Sequence, residues 1–179
     1  MKVLRSKLQR IYLDLSSSAI AIKAKTQLTA LAHLEDPFFV IGVPGSLHVV
    51  ERCLRFISES QNIIFIANGL TDWENRWAQS NLKVNGMISF ASMLKHGAVL
   101  DFLISKSKKH FGILDYDCFV FDPTLFAQIK LLKPETIVNA AFGHKNQALD
   151  LEFPGTFFMF FNQQILNMIK QKFHVTSLP

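Results

Sequence analysis

Short apolar runs alternate with segments of helical spacing from residue 38 to residue 173, and this alternation limits the fold more than any other feature. The predicted strands are "FFVIGVP" (38–44), "NIIFIANG" (62–69), "NGMISF" (85–90), "FGILDYDCFVF" (111–121), "TIVNAAF" (136–142) and "FPGTFFMFFN" (153–162). The predicted helices lie between and after them, at residues 45–60, 73–78, 96–109, 123–132 and 163–173. Strands that alternate with helices of this length build βαβ units, so the sequence predicts an α/β fold with a mostly parallel sheet.

The length and composition agree with one globular domain. The chain has 179 residues, of which 49% are apolar and 18% are charged, so it can bury a large core and is not disordered. We expect residues 1–36 to form an N-terminal helical segment and residues 37–179 to form one α/β domain. The N-terminal segment is basic and amphipathic. It is expected to pack on the domain itself, and peripheral contact with a membrane is the alternative.

Charge, cysteines and hydropathy restrict the partners and the compartment. The formal net charge of +5 weakly favours a phosphate-bearing ligand or an anionic membrane surface, and we expect no nucleic-acid partner. Cys53 and Cys118 lack metal-ligand spacing and are predicted to be reduced core residues, as in a reducing compartment. No run approaches the ~20 apolar residues of a membrane span, and the N-terminus lacks a signal-peptide core. A cytoplasmic location is therefore expected.

Polar residues cluster where the predicted strands end. Because ligands of α/β sheets bind beyond the carboxyl ends of the strands, these residues are candidate ligand contacts. They are Pro44, Gly45, Ser46, Asn68, Gly69, Thr71, Asp72, Glu74, His96, Gly97, Asp115 and Asp117. Backbone N–H groups of residues 44–46 open a helix and could receive an anion. A helix cap would equally explain His96, and a tight turn would explain Asn68-Gly69.

Asp115 and Asp117 are unusual because they interrupt an apolar run. A buried carboxylate is unfavourable unless it is paired, hydrogen-bonded or bound to a metal. Residues two apart on a strand point to the same face, so both side chains could bind one ion. Mg²⁺ and Mn²⁺ accept such oxygen ligands together with substrate phosphates. A lone Asp-x-Asp also occurs in solvated turns, but the apolar flanks favour a metal site.

The order and spacing of four segments resemble those of the GT-A glycosyltransferases. The segments are "FFVIGVPGS", "IIFIANGL", "HGAVLDFLI" and "FGILDYDCFVFD". The resemblance covers about residues 37–175 and is clearest over residues 38–126. It implies a three-layer α/β/α domain that binds a nucleoside diphosphate sugar, with Mn²⁺ or Mg²⁺ held by a DxD motif. Here the motif is Asp-Tyr-Asp, with a larger central residue than is common.

The same resemblance implies roles for individual residues. Asp117 would bind the metal, and Asp115 would bind the ribose or a metal-bound water as part of the same site. The other implied contacts are Pro44, Gly45 and Ser46 along the nucleotide, Asn68 and Gly69 beside the base, and His96 and Asp101 near the ribose or phosphates. For Asp101, a solvated position is the alternative. The run "FPGTFFMFFN" would be the acceptor-side strand, with Asn162 at its end.

Glycosyl transfer to a glycan, lipid or protein acceptor is the predicted activity. An inverting enzyme would need a carboxylate base to activate the acceptor hydroxyl. Asp150 and Glu152 precede the acceptor-side strand and are the candidates, with surface charge as the alternative. Because the sequence ends one helix after this strand, we expect donor binding with poor transfer unless a partner chain completes the acceptor site.

Two other functions remain open. A metal-dependent phosphohydrolase is disfavoured, because such enzymes usually carry paired aspartates on the first strand and not on the fourth. A non-catalytic or degenerate nucleotide-binding domain would differ from an enzyme by the loss of metal-dependent nucleotide binding. A dinucleotide-binding domain is disfavoured, since no GxGxxG follows the first strand. Trp73 and Trp77 lie four residues apart and are predicted to be core residues rather than a platform for a sugar.

Overall fold

The computed structural model describes residues 22–146 and 151–173. Helix α1 occupies residues 22–30. The other helices are α2 (Leu47–Leu54), α3 (Asp72–Asn81), α4 (His96–Lys106), α5 (Thr124–Ile129) and α6 (Gln163–Phe173). The strands are β1 (Phe38–Gly42), β2 (Ile63–Asn68), β3 (Gly86–Phe90), β4 (Phe111–Asp115), β5 (Val138–Ala140), β6 (Gly143–Asn146), β7 (Leu151–Pro154) and β8 (Phe158–Phe161). Within these ranges no helix is long and apolar enough to cross a membrane.

The central sheet has six strands in the order β3-β2-β1-β4-β8-β5. The pairs β3–β2, β2–β1 and β1–β4 are parallel, whereas β8 runs antiparallel to both of its neighbours. Strands β6 and β7 form a separate two-stranded antiparallel sheet. The predicted α/β class with a mostly parallel sheet is therefore confirmed, with one antiparallel strand inserted between β4 and β5.

Helices cover both faces of the central sheet. In β1, Phe38 and Val40 pack on the face that also holds buried residues of α2, α3 and α5. Phe39 and Ile41 pack on the opposite face, with residues of α1 and α4. The phenylalanines fill much of this volume, since the ring of Phe38 lies 4.9 Å from that of Phe126 in an edge-to-face contact. Burial on both faces explains why the strand sequences are apolar without alternation.

The predicted strand over residues 111–121 is wrong in its second half. Strand β4 ends at Asp115, whose N–H donates to the Phe157 carbonyl at 2.8 Å. The next residues turn, and the Cys118 N–H donates back to the Asp115 carbonyl at 3.0 Å. Asp117 therefore lies in a turn, so the two-residue period of a strand does not relate its side chain to that of Asp115.

The run 153–162 is likewise two elements rather than one strand. Its first residues belong to β7, which ends at Pro154, and the rest form β8 in the central sheet. Proline has no N–H to continue a ladder, and the Gly155 N–H donates to the Phe142 carbonyl at 2.7 Å instead. The chain therefore leaves the small sheet at this point before it enters the large one.

The predicted burial was confirmed for the two cysteines and for one of the two tryptophans. Cys53 is buried, Cys118 is half-buried, and both are free thiols, as predicted. Burial, assisted by the neighbouring Cys118 and Asp117, raises the pKa of Cys53 to about 12. The prediction for Trp73 was wrong, since 64% of this residue is exposed. Trp77 is half-buried against the core, as predicted.

Candidate functional site

The parallel strands β2, β1 and β4 bring three loops to one edge of the sheet. The register pairs Ile41 of β1 with Asp115, the last residue of β4. On the other side, Gly42 pairs with Ala67, one residue before the end of β2. The segments that follow Gly42, Asn68 and Asp115 therefore begin side by side, as the sequence predicted.

Asp115 and His96 form a pair at this edge. The His96 Nε2 atom lies 3.6 Å from the Asp115 Oδ1 atom, which is ion-pair distance when the imidazole is protonated. The Asp115 side chain is 30% exposed. Burial raises the pKa of Asp115 above its usual value; nearby His96 opposes this effect, and Asp117 reinforces it. The neighbours described here thus leave the charge of Asp115 incompletely compensated.

Asp117 adds a second carboxylate to this cluster. It is exposed, and burial raises the pKa of Asp115 and of Cys118, with the charge of Asp117 adding to this effect in both. Within residues 22–146 and 151–173, no group of three or more His, Cys, Asp or Glu side chains is arranged to hold a metal. Two carboxylates nevertheless suit Mg²⁺ or Mn²⁺, because these ions often take one or two carboxylates and complete their shell with substrate phosphates and water.

The loop after β1 is held by its own hydrogen bonds. The Ser46 hydroxyl donates to the Val43 carbonyl at 2.7 Å and accepts the Val43 N–H at 2.9 Å. The Ser46 N–H also donates to Val43, and the Gly45 N–H donates to Glu74 Oε1 at 2.7 Å. Both N–H groups therefore already have acceptors. An anion at residues 44–46 would have to compete with these bonds, whereas the exposed Pro44 is open to a ligand.

Glu74 is one of the polar residues that the sequence placed at this edge, but its structural role was not predicted. It is 8% exposed, and its carboxylate accepts hydrogen bonds from the Thr71 N–H, the Thr71 hydroxyl and the Gly45 N–H. These bonds, that of Gly45 first, lower the pKa of Glu74. The pattern Thr-x-x-Glu before a helix is the signature of a capping box and could have predicted the Thr71 bonds. The pattern could not have predicted the hydrogen bond from the Gly45 N–H to Glu74.

Asn68 and Gly69 hold a neighbouring loop in place. Asn68 is 2% exposed, donates to the Leu94 carbonyl at 2.9 Å and accepts the Leu94 N–H at 2.8 Å. Gly69 has φ +72°, and a Cβ atom there would lie 2.3 Å from the Met93 backbone nitrogen. These contacts fix the segment that leads into His96. Asn68 thus contributes to the site by positioning the segment that leads to His96, because its side-chain amide is hydrogen-bonded to the Leu94 backbone.

The remaining predicted residues lie elsewhere or outside the described chain. Asp101 on α4 is near enough to Lys170 on α6 to oppose the effect of burial, which lowers the pKa of that lysine. Asn162 is buried, and its Oδ1 accepts the Ile165 N–H at the start of α6. Glu152 lies on β7, in the two-stranded sheet, opposite Lys145. Asp150 falls outside the described residues.

Comparison with known proteins relates the chain to glycosyltransferases. The profile of the StrH glycosyltransferase N-terminal domain family matches residues 19–166, which include α1, the central sheet and the start of α6. A curated relative is the dTDP-dihydrostreptose–streptidine-6-phosphate dihydrostreptosyltransferase of Streptomyces griseus, 29% identical over 110 residues. That alignment covers 54% of this chain and 29% of the relative, so the chain spans well under half of the relative's length.

Proposed function

Because the chain belongs to the StrH glycosyltransferase N-terminal domain family, we propose that it binds the nucleoside diphosphate sugar donor of a glycosyl transfer reaction. The observation that carries this proposal is the acidic cluster at the carboxyl end of β4. Asp115 is half-buried there with a raised pKa, and Asp117 adds a second negative charge beside it. Such a cluster is more stable when a cation neutralises it.

The proposed architecture is that of a GT-A glycosyltransferase. The support is the position of the Asp-Tyr-Asp motif, which starts at the last residue of a central parallel strand. The loop after β1 lies next to it because β1 and β4 are neighbours. A nucleotide that spans these two loops would place its diphosphate at the aspartates and its nucleoside along Pro44 and the residues that follow.

In the proposed site, Asp115 and Asp117 hold Mn²⁺ or Mg²⁺. When bound, the cation would stabilise the negative charge that develops on the leaving diphosphate. His96 opens helix α4 and is exposed, so its imidazole can donate a hydrogen bond to a phosphate or ribose oxygen. Its distance of 3.6 Å from Asp115 allows the same imidazole to offset part of the carboxylate charge.

The relative's name supports a thymidine nucleotide as the donor to test first. The Streptomyces griseus protein takes its sugar from dTDP-dihydrostreptose. We propose that this chain also binds a dTDP-sugar, and that binding depends on the divalent cation. The nucleotide dTDP alone contains the base, deoxyribose and diphosphate that the proposed contacts recognise, so it is a sufficient probe.

The experiment is calorimetric titration of the full chain with dTDP and with UDP, with and without Mn²⁺. We expect binding that requires the cation. In a separate unfolding measurement at ligand concentrations ~100 times Kd, the free energy of unfolding should increase by about 2.7 kcal/mol. Asp117→Asn should remove the metal-dependent part without loss of the fold. Asp122→Asn is the matched control, because Asp122 is also exposed but hydrogen-bonds to Thr124, and it should bind as the wild type does.

Three results would change this proposal in different ways. Undiminished metal-dependent binding by Asp117→Asn would place the metal elsewhere. Nucleotide binding that is equally strong without Mn²⁺ would favour the non-catalytic nucleotide-binding domain. The absence of binding to either nucleotide would contradict a donor site altogether.

A further inference from the structure

Two strands end next to each other at the proposed donor site, and one buried carboxylate connects the loops that follow them. Glu74 lies in the first turn of α3, after β2, whereas Gly45 lies 29 residues earlier in the loop after β1. The bond from the Gly45 N–H to Glu74 Oε1 is 2.7 Å long. Hydrogen bonds to an ionised acceptor are stronger than neutral ones. This contact is therefore a strong direct link between the loop after β1 and the first turn of α3.

The geometry divides the Glu74 carboxylate between two tasks. Its Oε2 atom accepts the Thr71 N–H at 2.9 Å and the Thr71 hydroxyl at 2.8 Å, which caps α3 locally. Its Oε1 atom takes the Gly45 N–H, a contact that capping does not require. Gly45 has φ +81°, a conformation that side-chain-bearing residues rarely adopt, and Pro44 and Gly45 are both exposed. The bonds between Ser46 and Val43 hold the loop internally, and the bond to Glu74 attaches it to α3.

We propose that Glu74 is a positioning residue for donor binding, which fixes the loop of residues 43–46 against the nucleotide through Gly45. This role rests on the proposed function, in which that loop lines the nucleotide. Glu74 itself does not touch the ligand, since its carboxylate oxygens are engaged by Gly45 and Thr71. A preformed loop raises affinity because the free energy of ordering it is not taken from binding.

Glu74→Asp separates the two tasks. Aspartate keeps the negative charge and still suits a capping box, because Thr71 is only three residues away. It is one methylene shorter, so its carboxylate falls out of reach of Gly45. Thr71→Ala is the control, since it removes the capping hydroxyl but keeps the Thr71 backbone N–H and the whole Glu74 side chain. Both variants should lose a similar, small part of the stability.

The measurement is the Kd of dTDP with Mn²⁺ for the wild type and both variants, well below their melting temperatures. We expect Glu74→Asp to bind about tenfold more weakly and Thr71→Ala to bind within about twofold of the wild type. The Gly45 amide proton, followed by NMR, should move upfield and exchange faster in Glu74→Asp alone. Such a change reports the link itself, which a purely structural defect of α3 would not alter.

Either of two outcomes would overturn the role of Glu74. One is wild-type affinity in Glu74→Asp together with a changed Gly45 amide signal, which would mean that the link does not matter for binding. The other is an equal loss of affinity in both variants, which would assign the effect to the helix cap. If the wild-type chain binds neither dTDP nor UDP, the proposed function fails first, and the positioning role fails with it.

Discussion

Glu74 and Asp115 are carboxylates near the same edge of the sheet, and the protein treats them in opposite ways. Glu74 accepts three hydrogen bonds from Gly45 and Thr71, and its pKa is lowered. Asp115 is partly buried with His96 3.6 Å away, and its pKa is raised. The ionised form is thus stabilised by the fold in Glu74 and destabilised by it in Asp115.

This difference distinguishes a carboxylate that stabilises the fold from one that is available to a ligand. A carboxylate whose oxygens are satisfied by the protein has little to gain from a ligand, so it stabilises the structure around it. A carboxylate whose burial is poorly compensated gains most when a cation or a donor group binds. On this criterion, Glu74 belongs to the framework of the loops, whereas Asp115, with Asp117 beside it, fits the proposed donor site.

The largest expected effect on stability is that of replacing the Glu74 carboxylate by an amide, and the same change at Asp115 should have a much smaller effect. Glu74→Gln replaces an acceptor oxygen by an NH₂ group that faces an N–H donor, so it should lower the free energy of unfolding by about 2 kcal/mol. Asp115→Asn removes an incompletely compensated charge and should change it by less than about 0.5 kcal/mol. Urea unfolding at pH 7 measures both values.

Equal effects of Glu74→Gln and Asp115→Asn on the free energy of unfolding would contradict the difference between the two carboxylates. Equal destabilisation would mean that the ionised Asp115 carboxylate is as well stabilised as that of Glu74. A negligible effect of Glu74→Gln would show that the hydrogen bonds of the loops contribute little. Each variant should keep the far-ultraviolet circular dichroism of the wild type, so that the changes refer to the same fold.

The pH dependence of stability should distinguish Glu74 next. Its pKa in the folded state lies below the value of about 4.3 for an unfolded glutamate. Its contribution is therefore fully present above that value and is lost as the pH falls through the folded pKa. We expect acidification from pH 7 to pH 3 to destabilise the wild type more than Glu74→Gln, so that the two curves converge. If the free energies of unfolding of the wild type and of Glu74→Gln instead changed in parallel with pH, the lowered pKa of Glu74 would be contradicted.

The smallest effect is expected at Cys118, one residue past the proposed metal ligand Asp117. Its half-buried thiol packs against the core beside Cys53, whose Sγ donates to the Cys118 carbonyl at 3.3 Å. Cys118→Ala should lower the free energy of unfolding by about 1 kcal/mol and leave the Kd of dTDP unchanged. A large loss of affinity at unchanged stability would instead place the thiol in the site.

Local pattern predicted the elements well and their limits less well. The capping box before α3 was readable from Thr71 and Glu74, and the end of β2 at Asn68 was readable from the Asn-Gly pair. The end of β4 at Asp115 was not, because Phe119 and Val120 continue the apolar pattern although they lie beyond the strand. Val120 is buried in the core, and Phe119 packs against the core and against the ring of Phe56. Sequence periodicity cannot distinguish such contacts from burial in a strand.

Sequence pattern was sufficient to predict the α/β class, the chain order of the helices and of the six strands of the central sheet, and the edge of the sheet where polar residues collect. It did not predict the two-stranded sheet of β6 and β7. The predicted features depend on periodicity and on residues that start or stop an element, which act over a few positions. Tertiary packing brings the polar groups together: Glu74 with Gly45, His96 with Asp115, and Asn68 with Leu94. It also decided that β8 enters the sheet antiparallel between β4 and β5. Such contacts join residues far apart in the chain, and they are fixed only when both faces of the sheet are packed.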